Sequence, residues 1–457
     1  MKATLDLFVA IRCKPSTLQL TPTFINESLV KMQPTPSEKS EHHDYDIQVL
    51  TSTRDLDPLE WNSLLKIQPS PTPFMKHEYL SAMELSESAT AQTGWIPRFV
   101  TIRSNQALIA ACPLYLKLHS YGEFVFDWAW ANAYEQHGLE YYPKALVAVP
   151  FTPVPGTRLM AKDEQTRSLL ASAIKAWTQK ESLSSAHLLF GCAQDIQACA
   201  ENSYSLRHTV QFHWQNANYT DFADFLSSLN QEKRKKIKQE RAKITKAGVS
   251  FISKYGSDIN NEDWSFFYKC YERTYLEHGN APYLTPDFFK RMQQSMPTNW
   301  VLFIASNERG DRIASSLVAV SDVGQQAQMS ESKEMTGLRN SSLTTHERHP
   351  RVAYGRYWGA LERVDCLHFE ACYYQPIEWC IQNGVQRFEG GAQGEHKMAR
   401  ALLPVKTSSA HYLVHPSFAS AVDNFLNREE QGIENYIDDL ERRTPLKLGG
   451  SESPNRL

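Results

Sequence analysis

The sequence predicts an α/β (α+β) protein built from two duplicated units, and three observations carry that reading. At 457 residues the chain is too long for one hydrophobic core. Its composition is ordinary for a globular protein, with 42% hydrophobic and 22% charged residues. The third observation is a weak internal repeat. Arg98 to Leu116 and Val301 to Val320 each read as strand, polar turn beginning Ser-Asn, then strand, which is a β-hairpin. Asn105 and Asn307 in those turns lie about 200 residues apart. Farther along, Ile174-Lys-Ala-Trp177 leads to a strand at His187 to Gly191, and Ile377-Glu-Trp-Cys380 leads to Arg387 to Gly390 at the same spacing. Two features in one order at one spacing argue for duplication rather than chance.

The elements follow in order. Residues 1–44 are polar and Pro/Ser-rich near Gln33 to Ser40, which predicts a loosely ordered extension. The first unit is expected over 45–216 and the second over 219–443, with a flexible tail over 444–457. A Ser/Gln/Glu-rich stretch without periodicity over 322–351 reads as a loop inserted between two strands of the second unit. The net charge of −3 gives no overall pull towards DNA or anionic lipid, so any basic footprint is local. No run approaches the roughly 18 apolar residues of a membrane helix, so no integral membrane segment is expected. The start carries Asp6 and no small-residue cleavage site, which argues against a signal peptide. Eight cysteines form no CxxC pair and no Cys/His zinc spacing, so no metal is expected and a reducing cytoplasm fits.

Three segments carry candidate chemistry. Phe222 to Val249 reads as a basic helix with eight basic residues between Lys233 and Lys246 against the single acid Glu240. Gly248 suits its C-terminal cap. Arg234, Ile237, Arg241 and Ile244 recur at three- and four-residue steps, so both arginines share the apolar face. There they either snorkel along the packing surface or, with Lys238, reach a diphosphate or an RNA backbone. In the first half, Ser120 to Glu135 is aromatic, and Asp127, Trp128 and Trp130 read equally as a pocket wall or as core packing around one paired acid.

The third segment, Val352 to Val405, is the most informative. Tyr354 to Gly359 reads as a strand bearing Tyr354, Arg356 and Trp358. Leu367 to Gln382 has helical length, stopped by Asn383-Gly384, and Val385 to Phe388 is the next strand. It runs into Glu389-Gly390-Gly391, after which Gln393, Glu395, His396 and Lys397 crowd together. Donors and acceptors at the carboxyl end of a strand mark a candidate site.

The pieces SLNQEKRKKIKQERAKITKAGV, YGRYWG, HFEACYYQPIEWCIQNGVQRFEGGAQGEHK, SYGEFVFDWAWANAY and PFTPVPGTRL resemble the bacterial FemAB-like group, known as N-acyltransferases and peptidoglycan biosynthesis/recognition proteins. The resemblance covers roughly Tyr45 to Arg443. It implies two tandem GNAT-like acyltransferase domains, each a mixed, largely antiparallel sheet flanked by helices. It also implies transfer of an acyl or aminoacyl group from acyl-CoA or aminoacyl-tRNA to the amine of a small molecule or cell-wall precursor. No permanently bound cofactor is expected, and tRNA is an expected partner. One departure stands out. The Phe-Lys pair that follows the Gly-Gly strand end in typical Fem ligases falls here near Met398-Ala399, so that lysine cannot be carried over.

Amine attack on an ester or thioester needs a base, a stabilised oxyanion and alignment. Glu389, Glu395 or His396 offers the base, and Lys397 an oxyanion partner. Arg234, Lys238 and Arg241 offer a phosphate clamp, while Gln393, Tyr354, Arg356, Trp358, Asp127, Trp128 and Trp130 are candidate substrate contacts. Two other readings stay open: a non-catalytic protein that recognises peptidoglycan precursors, and a plain acetyl-CoA-dependent N-acetyltransferase. The latter wants a glycine-rich phosphate turn, for which Phe151 to Arg158 is the candidate.

Overall fold

The computed structural model describes residues 45–322, 349–392 and 394–447. The expected extension, the body of the inserted loop, Gln393 and the tail beyond Lys447 lie outside those residues. Strands β1 (Tyr45–Leu50), β2 (Trp95–Ser104), β3 (Ala107–Lys117), β4 (Lys144–Val147), β5 (Met160–Ala161), β6 (Ser185–Leu189) and β7 (Ser205–Gln215) belong to the first half. Strands β8 (Ser250–Tyr255), β9 (Trp300–Ser306), β10 (Arg312–Val320), β11 (Val352–Ala360), β12 (Arg387–Glu389) and β13 (Leu403–Leu413) belong to the second. All join one sheet in the order β1-β2-β3-β4-β6-β13-β7-β12-β11-β10-β9-β8, with β5 on β3.

Read inward from its two edges, the sheet repeats itself. The runs β1-β2-β3-β4-β6 and β8-β9-β10-β11-β12 share one order, antiparallel throughout except for the parallel pairs β4/β6 and β11/β12. The closing strands are exchanged: β13 pairs with β6 of the first half, and β7 pairs with β12 of the second. The two then pair with each other from Leu403–His213 to His411–Ser205.

The two hairpins occupy equivalent places, as expected, but turn by different chemistry. Asn105 and Gln106 both adopt positive φ, the two-residue turn whose twist suits a hairpin. In the other, the Asn307 carboxamide accepts from the amides of Arg309 (3.1 Å) and Asp311 (3.0 Å).

Helices pack on both faces. Between β1 and β2 lie α1 (Pro58–Lys66) and α2 (His77–Leu85), and α3 (Trp128–Gln136), α4 (Glu164–Lys180) and α5 (Ala193–Glu201) complete the first half. The Asp57 carboxylate caps α1 through the amides of Leu59 and Glu60, with Pro58 in the first turn where a missing N–H is no loss.

The predicted basic helix is two helices, α6 (Phe222–Ser228) and α7 (Gln231–Lys246). Asn230 caps α7 through the Lys233 amide, and buried Leu229 bridges Leu446 near the end of the chain. Gly248, at φ +64°, follows the end of α7 as the sequence suggests. Then come α8 (Asn261–Glu277) and α9 (Pro286–Ser295), equivalent to α1 and α2. The predicted helix over 367–382 forms as α10 (Leu367–Phe369), a π-turn (Glu370–Tyr374) and α11 (Gln375–Gln382), ending at Gly384 with φ +61°. The chain closes with α12 (Pro416–Arg442), which lies on β7 and β13.

Strand alternation sorts the two faces near the centre. Val352 and Tyr354 enter the core of Trp61, Phe74 and Tyr79, whereas Ala353 and Phe388 enter that of Ile377 and Cys380.

Candidate active site

Parallel strands β11 and β12 pair only at Val352–Arg387, Ala353–Phe388 and Tyr354–Glu389. Beyond that point β11 continues along β10 to Ala360, while the chain leaves β12 through Gly390 and Gly391. The strands therefore part, and Gly355 to Trp358 stay half-buried. Small residues allow it. A Cβ on Gly355 would stand 3.2 Å from Phe388 Cζ and 3.4 Å from the Glu389 carbonyl oxygen, and Gly391 has φ +81°. A register shift between Leu317 and Val318 leaves Arg356 outside the ladder as a β-bulge. Arg356 and Tyr357 thus both reach the Tyr354 face, where the Arg356 guanidinium lies 5.2 Å from the Phe74 ring centroid.

Glu389 is the centre of this face and is 2% exposed. Arg387, two residues earlier on the same strand face, meets its Oε1 from Nη2 at 2.9 Å and from Nε at 3.1 Å. His213, directly opposite on β7, has its Nε2 3.9 Å from Glu389 Oε2. Burial pushes His213 down to about 3, so the ring is neutral and this is not an ion pair. Burial pushes the Glu389 carboxyl up to about 7, while Arg387, Arg158 and Arg356 pull against it. Its Oε2 has no hydrogen-bond partner among the described residues. A carboxyl half-ionised at neutral pH, with a free lone pair beside a gap in the sheet, is equipped to accept a proton.

The first half supplies the far wall. Arg356 Nη2 donates to the Phe151 carbonyl (2.8 Å) and to Thr152 Oγ1 (3.3 Å), and Thr152 also meets the Tyr79 hydroxyl at 3.3 Å. Arg158 Nη1 and Nη2 donate to carbonyls of its own loop, at Gly156, Thr157 and Val154. Pro150 to Arg158 is buried except at Pro155, so the segment considered as a phosphate turn is a packed wall.

Glu395, His396 and Lys397 do not converge on Glu389, and this corrects the sequence expectation. Glu395 is exposed and bound to Arg443 and, at 3.3 Å, to the Tyr436 hydroxyl, so it fastens its loop to α12. His396 is exposed and its Nε2 lies 3.2 Å from the Tyr373 hydroxyl. Desolvation pushes His396 down to about 4, helped by Lys397 and Arg400, leaving a weak base. Lys397 is buried and donates to the carbonyls of Gly391 (2.9 Å) and Ala392 (2.6 Å), so its ammonium holds its own loop. Trp358 faces the opposite side of the sheet from Glu389, 5.4 Å from the His368 ring, which is itself 5.7 Å from Tyr373. Of the strand residues proposed for the wall, Tyr354 and Arg356 are beside Glu389 and Trp358 is not.

The remaining candidates also separate. Ile237 and Ile244 anchor α7, and Arg241 is spent on Glu370 (3.1 Å), Glu378 (2.8 Å) and the Phe222 ring (4.5 Å). Arg234 and Lys238 line a shallow surface depression with Lys235. Arg400 grips Glu240 at 2.9 and 3.0 Å, tying the loop to α7. In the first half, Lys144 bonds Asp127, Glu123 (2.8 Å) and Ser120 (2.9 Å), and Tyr141 donates to Asp127 at 2.7 Å. Burial alone would raise Asp127, but Lys144 holds it below the usual carboxylate range. Trp128 packs edge-on to Tyr121 (4.9 Å) and Trp130 is buried against His411 (4.9 Å). The core-packing alternative describes Asp127 and Trp130, which are buried, whereas Trp128 is half-buried against the exposed Tyr121.

Sequence reasoning missed Arg387, His213, Arg158 and His368. Arg387 had a signal, since residues i and i+2 of a strand share a face. His213 and Arg158 come from elsewhere in the chain and had none.

A sequence profile of the FemAB-like family, described as peptidoglycan biosynthesis/recognition, matches residues 52–324 and 340–448. No curated protein matches significantly. Among solved structures, the crystal structure of FemX is 9% identical, with 82% of this chain and 100% of that one covered at a TM-score of 0.47. L-PGS from Bacillus licheniformis is 9% identical, with coverages of 81% and 97% and a TM-score of 0.45. A tandem GNAT protein from the clavulanic acid biosynthesis pathway is 10% identical, with coverages of 81% and 99% and a TM-score of 0.40. Values this low assign neither donor nor acceptor.

Proposed function

This chain belongs to the FemAB-like family of peptidoglycan biosynthesis/recognition proteins, and we propose that it is an acyltransferase that moves an acyl or aminoacyl group from an activated donor to an amine, with Glu389 as the general base. The observation that supports this most is the Glu389 carboxyl itself: buried where β11 and β12 part, pushed up to about 7, with Oε2 unpartnered. In the reaction the neutral amine nitrogen attacks the acyl carbon, Glu389 takes the amine proton, and the bond to the ester oxygen or thioester sulfur breaks as that proton is returned to the departing alkoxide or thiolate. The repeated strand order supports reading residues 45–216 and 219–443 as two GNAT-like units with exchanged closing strands. Aminoacyl-tRNA and acyl-CoA remain the two donor classes, and a cell-wall precursor is an acceptor that the family description suggests.

One observation favours a second reading, a recognition protein without chemistry. Lys397 is committed to loop carbonyls, so it does not supply an oxyanion partner in the gap. Incubating the pure protein with labelled aminoacyl-tRNA or acyl-CoA and a panel of amines separates the two. Label recovered in an amide, and lost in Glu389→Gln, supports transfer. Saturable binding of precursors with no transfer from either donor supports recognition.

A further inference from the structure

The exchanged strand β13 meets β6 around two buried histidines that the chemistry at Glu389 does not use. His187 and His411 are direct partners in the register, and each is 2% exposed. Their Nδ1 atoms lie 2.8 Å apart, so one ring donates and the other accepts. The outer nitrogens are taken as well. His187 Nε2 meets Ser185 Oγ at 2.8 Å and the Tyr141 hydroxyl at 3.1 Å, and His411 Nε2 meets Ser409 Oγ at 2.8 Å. Trp130 covers the pair, with its ring centroid 4.9 Å from that of His411 and 6.0 Å from that of His187. Every polar partner is thus the other imidazole or a neutral hydroxyl.

The charged groups around the pair are matched among themselves. Tyr141 donates to Asp127, and Lys144 bonds both Asp127 and Glu123. On β7, Arg207 bonds Glu429 of α12 at 2.7 and 2.8 Å, and Ser205 bonds Asp423 of the same helix. Burial pushes His187 down to about 3 and His411 well below its ordinary value, and Lys144 opposes a further positive charge on either ring. Geometry adds a stricter limit. With a proton on every ring nitrogen, two N–H groups would face each other across 2.8 Å, so a doubly charged pair cannot keep its contact.

We propose that the His187–His411 pair is an acid-sensitive latch on the β6/β13 seam, closed while the rings share one proton between their Nδ1 atoms and released when both rings are charged. Released rings return to the ordinary histidine value of about 6.5. The stability that the neutral pair contributes is therefore complete above about 6.5 and is lost as the pH falls below it. Each histidine should favour opening about tenfold for every further pH unit.

Hydrogen exchange on the full chain, corrected for the intrinsic rate at each pH, reads the seam directly. The reference is the β2/β3 hairpin over 95–117, which contains no histidine. Between about pH 7.5 and pH 5, peptides covering Ser185–Leu189 and 409–413 should lose at least about tenfold more protection than that hairpin. The readout is local because burial also holds His213 and His368 low, and a global melt would mix their titration with that of the pair. Replacing the pair by His187→Gln with His411→Gln, whose carboxamides can still bond each other, should shrink the extra loss to about twofold or less. Should that double variant fail to fold, the imidazole ¹⁵N signals of the wild-type chain decide. Both rings should stay neutral until the seam begins to exchange. Titration of either ring near 6.5 with the seam still protected, equal loss in seam and hairpin, or an unchanged loss in a folded double variant overturns the latch.

Discussion

The molecule builds one frame twice, and the two copies treat the gap beside their parallel strands differently. In the first half the chain leaving β4 folds straight back into the gap. Gly156 bridges Gly191, its amide bonds the Phe190 carbonyl at 3.0 Å, and the Arg158 amide reaches Asp195. Pro150, Pro153 and Pro155 stand in that segment, and proline brings no N–H that burial would leave unpaired. In the second half the gap keeps Gly355 to Trp358 half-buried, with Glu389 at its apex. A duplicated frame thus becomes asymmetric when one copy spends its gap on packing, and the packed copy becomes a wall of the open one through Phe151, Thr152 and Arg158.

The strongest challenge to that contrast is Glu389→Gln, which keeps the shape and removes the base. Transfer should fall about 100-fold or more with little change in substrate binding. The same pair of proteins tests the titration. Wild-type transfer should rise with pH through about 7, because Glu389 accepts a proton only when ionised and burial holds it there. A limb near 4 would instead point to His396. Wild-type turnover in Glu389→Gln would take Glu389 out of the mechanism.

Matched glycine substitutions sharpen the comparison. A Cβ on Gly156 would stand 2.5 Å from Thr72 Cγ2 and 3.1 Å from the Ser70 carbonyl oxygen. Gly156→Ala should therefore cost about 1–3 kcal/mol of stability by overpacking, read from denaturant melts. Gly355→Ala meets Phe388 and Glu389 at the open gap, so its larger signature should be in turnover, about tenfold down. Equal effects of the two changes on stability alone would mean that both gaps are merely packed. The smallest effect belongs to Lys238→Ala on the outer face of α7, where stability should stay within about 0.5 kcal/mol.

Much of the frame was legible because its signals are local. The Ser-Asn turns, the alternation of the flanking strands and the Asn383-Gly384 stop are read within a few residues, and each names its element. The break before α7 was also visible, since Asn230 has the chemistry of a cap, but the density of basic residues obscured it. Glu389 was legible for the same local reason: a strand ending in a carboxylate and two glycines. Its neighbours were not. Gly391 at φ +81° and Gly394 at φ +127° redirect the chain after β12, and a short 3-10 turn then sends Glu395 to α12, His396 to Tyr373 and Lys397 back onto its own loop. Adjacent residues in a polar run need not share a direction. His213 and Arg158 reach the site through the register of β7 and the fold of the first-half loop, which sequence spacing does not encode.

The exchange of closing strands bears on how the protein is made. Residues 45–216 leave the ribosome with β6 complete and with β7 destined for a β12 that does not yet exist. The space between β6 and β7 waits for β13, which begins at Leu403. Until then β6 presents an open edge, a template for pairing with another nascent chain. Domain-by-domain maturation is closed to this sheet, and a fragment cut between the halves should be caught by chaperones or precipitate rather than accumulate as a folded unit.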